Sequence, residues 1–119
     1  NRSKKLHENK KGNICRLVPK TYGNYELGNG EKTVIYFGRS DSDLRARLLT
    51  HHNEKKGNFE FFRFETAKNA VEAYHEECRL WHLRGEYTKN LIHPAMPKGK
   101  NVPCKHCNYG KIRIHGWGG

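Results

Sequence analysis

With 119 residues, 34% of them hydrophobic, the chain has room for one domain with a modest core and not for two. A core that small calls for an additional staple. The 23 lysines and arginines against 12 acids give a formal charge of +11, which favours a polyanionic partner, although a basic surface kept for solubility would carry the same charge. No apolar run approaches the ~20 residues needed to cross a bilayer and no signal peptide is visible, so no membrane role is expected and the expected location is intracellular, cytoplasmic or nucleoid-associated.

In chain order, residues 1–13 are polar and lysine-rich, without periodicity, and read as a basic flexible arm. A first strand is predicted over Ile14–Leu17. Asn24–Leu27 and Thr33–Gly38 follow as the strands of an antiparallel hairpin, joined by a turn at Gly28-Asn29-Gly30. Ser40, Asp41, Ser42 and Asp43 offer N-caps for a helix running to about His52. Lys55-Lys56-Gly57-Asn58 is a loop, and Phe59–Phe64 is the third strand of the sheet. A second helix is predicted from Thr66 to Leu83, with an apolar stripe of Ala67, Ala70, Val71, Tyr74, Cys78 and Trp81. Past Gly85 the chain turns irregular, carries Pro94, Pro97 and Pro103, and ends in Cys104-Lys105-His106-Cys107 and a short strand over Lys111–Ile114. This order specifies an α+β class: a small antiparallel three-stranded sheet flanked by helices. Residues 14–93 would form the core and residues 94–119 a tail packed on it.

Several positions carry chemistry. Residues two apart on a strand share a face, so hairpin register can bring the Tyr25 and Tyr36 phenols into one cleft. On the first helix Leu44, Arg47, Leu48 and His51 share a face. Arg47, at the edge of that face, offers a fork to phosphate oxygens, and His51, one turn later, can take or relay a proton. Arg45 and His52 point elsewhere, toward solvent or DNA, and Lys55 and Lys56 in the following loop are further candidates for nucleic-acid contact. On the second helix Glu77 lies at the margin of the apolar stripe, where a carboxylate can hold a hard cation such as magnesium. Taken singly, each of these is more often an ordinary surface charge.

Cys78 and His82 are one helical turn apart and share a face, and Cys104 with Cys107 supplies the other half of a tetrahedral zinc site. Such a site would staple the tail to the helix. Cys78 as a buried thiol beside an exposed Cys104/Cys107 redox pair is the other reading of the same residues, and His75, His93 and His106 are substitutes for His82.

Gly23-Asn24-Tyr25, then Tyr36-Phe37-Gly38, then Asp43 to Leu48, and later Glu72 to Glu77 and Asn90, together resemble the GIY-YIG nuclease superfamily in order and spacing. The resemblance covers roughly residues 21–90. It implies a metal-dependent endonuclease acting on DNA, with RNA left open, through one Mg²⁺ or Mn²⁺. Residue by residue, it implies that Tyr25 and Tyr36 are the signature tyrosines, Arg47 the catalytic arginine and His51 its partner one turn later. It makes Glu77 the metal-binding glutamate and Asn90 a brace of the site. Asn24 and Phe37 stand where the family usually has aliphatic residues, and a loop over Arg39–Ser42 that is one residue longer than usual leaves Arg45 beside Arg47 as the candidate arginine. Arg39, just after the second tyrosine strand, is placed to touch the nucleic-acid backbone. The competing function is a non-catalytic, zinc-stapled nucleic-acid-binding module. Whether the chain works as a monomer or a dimer is open at this stage.

Overall fold

A computed structural model describes residues 5–54 and 59–110. The elements are β1 (His7–Glu8), α1 (Lys11–Leu17), β2 (Gly23–Gly28), β3 (Val34–Ser40), α2 (Leu44–Glu54), β4 (Phe61–Thr66) and α3 (Ala70–Arg84), followed by a 3₁₀ turn over Gly85–Tyr87. The class is α+β as expected, but the antiparallel sheet has four strands in the order β1-β4-β2-β3. The additional strand comes from within the expected arm, where His7 and Glu8 pair with Phe62 and Phe61.

The strand expected over Ile14–Leu17 is instead the end of α1. Ile14 and Val18 lie four apart, a helical spacing, and both are fully buried among Tyr25, Leu27, Leu44, Leu48 and Phe62. Each such burial contributes about 1.5–3 kcal/mol relative to exposure. The predicted strand over Lys111–Ile114, like Lys55 and Lys56, lies outside the described residues.

The hairpin forms where expected, with Tyr25 opposite Gly38 and Leu27 opposite Tyr36. Its turn is closed by Asn29, whose side chain accepts from the backbone of Glu31 and Thr33, and the left-handed residue is Lys32 (φ 64°) and not Gly30. Alternate residues of β2 face opposite layers. Tyr25 and Leu27 meet α1 and α2, whereas Asn24 and Glu26 meet α3. Asn24 Nδ2 donates to the Ala73 carbonyl at 2.8 Å, which explains a buried amide at a position where an aliphatic residue would make no such tie. Glu26 is held by Arg63 and Arg84; burial alone would raise its pKa, but the two guanidinium groups bring it below the usual value.

Helix α3 starts at Ala70, later than the predicted Thr66, because Thr66 still pairs with Gly23 in the sheet. Asn69 then caps it, accepting from Glu72 N at 2.8 Å. Among the described residues no helix is long and apolar enough to cross a membrane.

Candidate active site

Helix α2 is launched by the residues read as caps: Ser40 Oγ accepts from Asp43 N, and Asp43 Oδ1 accepts from Ala46 N at 3.0 Å. That start fixes which side chains return toward the hairpin. Arg47 lines an open cleft of about 570 Å³ together with Tyr25, Tyr36, Arg39, Asp41 and Glu77. Strands β2 and β3, helix α2 and helix α3 therefore each supply part of one concave surface.

The two tyrosine rings lie 6.4 Å apart on the same face of the hairpin. A Cβ on Gly38 would sit 2.4 Å from the Tyr25 hydroxyl, so only glycine leaves room for that phenol to lie across β3. The Tyr25 hydroxyl is 2.7 Å from His51 Nε2. Burial raises the Tyr25 pKa well above its ordinary value, and the neighbouring Tyr36 adds to this, while the charge and hydrogen bond of Arg47 only partly oppose it. Desolvation thus outweighs the neighbouring positive charge at Tyr25. Burial raises Tyr36 as well, with Glu77 adding to it. His51 moves the other way: burial, then the Arg47 charge, lowers its pKa, so near neutral pH it is an uncharged imidazole able to accept the Tyr25 proton.

Of the two candidate arginines, Arg47 is the one at the cleft. Arg45 is turned toward α1, where its Nε donates to the Val18 carbonyl at 2.7 Å, so it clamps the chain between two elements instead of offering a free charge to DNA. His52 is half-buried on α2 and does not line the cleft.

Glu77 accepts from Arg39 Nη1 through Oε1 at 2.7 Å, and among the described residues no donor reaches Oε2. Burial raises its pKa, and Arg39 is the chief opposing influence. A carboxylate oxygen left without a protein donor in an open polar cleft fits a hard cation that keeps most of its water ligands. Arg39, expected on the nucleic-acid backbone, is otherwise engaged. Its side chain is only 10% exposed, and its donors go to both Asp41 oxygens, to Glu77 and to the Ala95 carbonyl.

Asn90 braces the site from outside the cleft. Its Oδ1 accepts from Phe37 N at 3.0 Å and its Nδ2 donates to the Phe37 carbonyl at 2.6 Å, so one amide occupies the free edge of β3 between Tyr36 and Gly38. Lys89 N extends this edge contact to the Ile35 carbonyl.

A second cluster lies at the far end of α3. Ligand atoms of His82, His93, Cys104 and Cys107 fall within 4.8 Å of one another and could hold a metal ion. Nitrogen and sulfur ligands of one tetrahedral zinc are separated by roughly 3.5 Å. The observed His82 Nε2–Cys104 Sγ and His93 Nε2–Cys107 Sγ distances are 3.4 and 3.5 Å. Backbone amides of His106 and Tyr109 point at the Cys104 and Cys107 sulfurs, and His93 Nδ1 is 2.9 Å from the Pro94 carbonyl, an outer contact that leaves Nε2 for the ion.

The set corrects the sequence-based one at one position. Cys78 is not a member, and His93 takes its place. Cys78 is fully buried against Tyr74 and Cys104 and lies outside the four-ligand set. His93 sits in an irregular segment that no periodicity ties to α3; only its position ahead of the Cys104/Cys107 pair pointed to it.

Comparison of the chain with family models, with curated proteins and with solved structures found no match.

Proposed function

We propose that the chain is a metal-dependent endonuclease of the GIY-YIG kind, hydrolysing DNA phosphodiester bonds in the cleft between the hairpin, α2 and α3. The observation that carries this reading is the convergence of Tyr25, Tyr36, Arg47 and Glu77 on one open, polar concavity, with His51 hydrogen-bonded behind Tyr25. The formal charge of +11 supplies the attraction to a polyanion.

In this reading Arg47 grips a nonbridging phosphate oxygen and stabilises charge as the phosphorus becomes five-coordinate. A water held by the Tyr25 hydroxyl attacks in line: its oxygen forms the new bond to phosphorus while the bond to the leaving oxygen breaks. The water proton passes to the Tyr25 oxygen as the phenol proton moves to His51 Nε2, so the neutral imidazole is the final base and Tyr25 the relay. Tyr36 completes the hydrogen-bonding wall of the cleft, and Asn90 keeps β3 in register. A bound Mg²⁺ or Mn²⁺, held by Glu77, supplies charge neutralisation at the phosphate and the leaving oxygen.

The second cluster is assigned to structural zinc. Two imidazoles and two thiols suit that ion better than a hard cation, and a closed four-ligand set leaves no position for substrate. The metal would pin residues 93–107 to α3.

The test is nicking of supercoiled plasmid by the zinc-loaded chain with and without added Mg²⁺ or Mn²⁺. Glu77→Gln and Arg47→Ala are each expected to lower cleavage by about 10²–10³-fold or more while DNA binding persists. Salt-sensitive DNA binding by the wild type without metal-dependent cleavage would favour the binding-module reading instead.

A further inference from the structure

The residue with the most unusual environment is Arg39, which the reaction scheme above leaves without a task. Its guanidinium is nearly withdrawn from water and makes four hydrogen bonds to three partners: Asp41 Oδ1 and Oδ2 at 2.7 and 3.3 Å, Glu77 Oε1 at 2.7 Å and the Ala95 carbonyl at 2.6 Å. Beneath it lies the Tyr74 ring, 5.2 Å from the guanidinium carbon. These partners come from β3's own end, from α3 and from the tail. Ala95 follows His93 of the metal cluster by two residues, so a single planar group spans the candidate catalytic carboxylate and the segment that the metal holds.

We infer that Arg39 is a positioning residue: it holds Glu77 in the orientation that leaves Oε2 for the catalytic cation, keeps the Asp41 carboxylate off that cation, and ties both to the metal-held tail through Ala95. The inference rests on the endonuclease reading. The geometry fits this role better than DNA contact, because four of the five N–H groups of the fork are already hydrogen-bonded within the chain. It also fits better than simple charge pairing. Of the three carboxylates that line the cleft, Asp43 is taken up in capping α2 and Arg39 pairs with the other two, so the group of Arg39, Asp41 and Glu77 retains one negative charge for a cation.

Removing the guanidinium therefore has two effects with opposite signs. Glu77 and Asp41 become free to chelate one ion together, which strengthens binding, while the ion no longer sits where the phosphate needs it, which weakens turnover. A residue that merely supports the fold would lower both.

The experiment uses the zinc-loaded full chain. Binding of Mn²⁺ alone, without DNA, is followed by the electron paramagnetic resonance signal of free Mn²⁺, and plasmid nicking is measured at saturating Mg²⁺. For Arg39→Met, which keeps an unbranched stem over Tyr74, Mn²⁺ binding should tighten about tenfold as the ligand charge rises. Cleavage should fall about 100-fold, the order expected for a misplaced reacting group. The added affinity should vanish in Arg39→Met/Asp41→Asn. Arg39→Lys, whose ammonium keeps the charge but not the fork, should bind Mn²⁺ like the wild type and cleave about tenfold more slowly.

Wild-type cleavage by Arg39→Met, or a parallel loss of Mn²⁺ binding and thermal stability, would overturn the inference. If Arg39→Met does not fold, Arg39→Lys decides, and full activity in that variant overturns it. The reading beneath it is tested separately: a wild type that binds Mn²⁺ through Glu77 but does not cut DNA refutes the endonuclease, and the Mn²⁺ arm still decides where Arg39 places Glu77. A wild type with no Glu77-dependent Mn²⁺ binding overturns both.

Discussion

Around the sheet, Ile14, Tyr25, Leu27, Leu48 and Phe62 are withdrawn from water and packed on one another across four elements. The tail, by contrast, contributes Cys104 to a small cluster shared with Tyr74 and Cys78, with half-buried Met96, Val102, Cys107 and Tyr109 packed on it and Pro94 and Pro97 buried beside them in sequence. No helix or strand stabilises it between the 3₁₀ turn and residue 110. The first region owes its stability to apolar area, which accumulates in small increments over many residues. The second offers less apolar area, and in the reading proposed above it would draw its stabilisation from a metal held by four ligand atoms at one point. The difference matters for function because Arg39 is anchored in both: it leaves β3 and reaches the Ala95 carbonyl of the tail.

The comparison is tested most severely by removing the metal. Binding energies of structural zinc sites are on the order of 10 kcal/mol, large against the stability of a small domain. A zinc-stripped chain, or Cys107→Ser, is expected to lose amide protection over residues 93–110 while the hairpin formed by β2 and β3 keeps its own. Hydrogen exchange read by mass spectrometry checks this. Equal protection of the tail with and without zinc would show that the two regions are held alike.

The opposite perturbation is Phe62→Ala. Phe62 is fully buried, stacks with Phe64 at 6.5 Å and stands opposite Leu27 and His7 in the two ladders it joins. Its truncation should cost about 3–5 kcal/mol through lost transfer energy and the cavity left behind. Chemical denaturation should show this as a lower midpoint, with the zinc content of the folded protein unchanged. A variant that loses zinc at the same time would mean that sheet and tail unfold as one unit.

The same contrast governs what could be read from the sequence. The hairpin, the Asp43 cap and the shared face of Arg47 and His51 are local consequences of spacing, and the structure places them as expected. Strand β1 was not legible, since two polar residues gain their pairing only from Phe61 and Phe62, far along the chain. Helix α1 was missed because the four-residue spacing of Ile14 and Val18 spans a single turn, too short for periodicity to separate helix from strand. In the metal cluster, Cys78 and His82 satisfied the helical ligand rule, but packing turned the Cys78 thiol toward Tyr74 and let His93 complete the set. For Arg39, only the Asp41 partner is local; Glu77 on α3 and Ala95 in the tail are distant in the chain, and nothing near β3 announces them.

The smallest effect expected is also the most direct check on the electrostatics of the cleft. Burial, and after it the charge of Arg47, holds the His51 pKa below its ordinary value of 6.5. Because the folded value lies below the unfolded one, His51 contributes stability that is present above pH 6.5 and is lost as pH falls through the folded value. Followed by NMR in the metal-free cleft without DNA, the imidazole should therefore titrate below 6.5 in the wild type. Arg47→Ala should move it upward but not fully back, since burial remains the larger cause. Were Arg47→Ala to leave the titration unchanged, the guanidinium would not be acting on His51, and the neutral imidazole behind Tyr25 would be a product of packing alone. The sheet region would then set the base of the reaction by burial, as it sets its own stability, with the cleft charges confined to the phosphate.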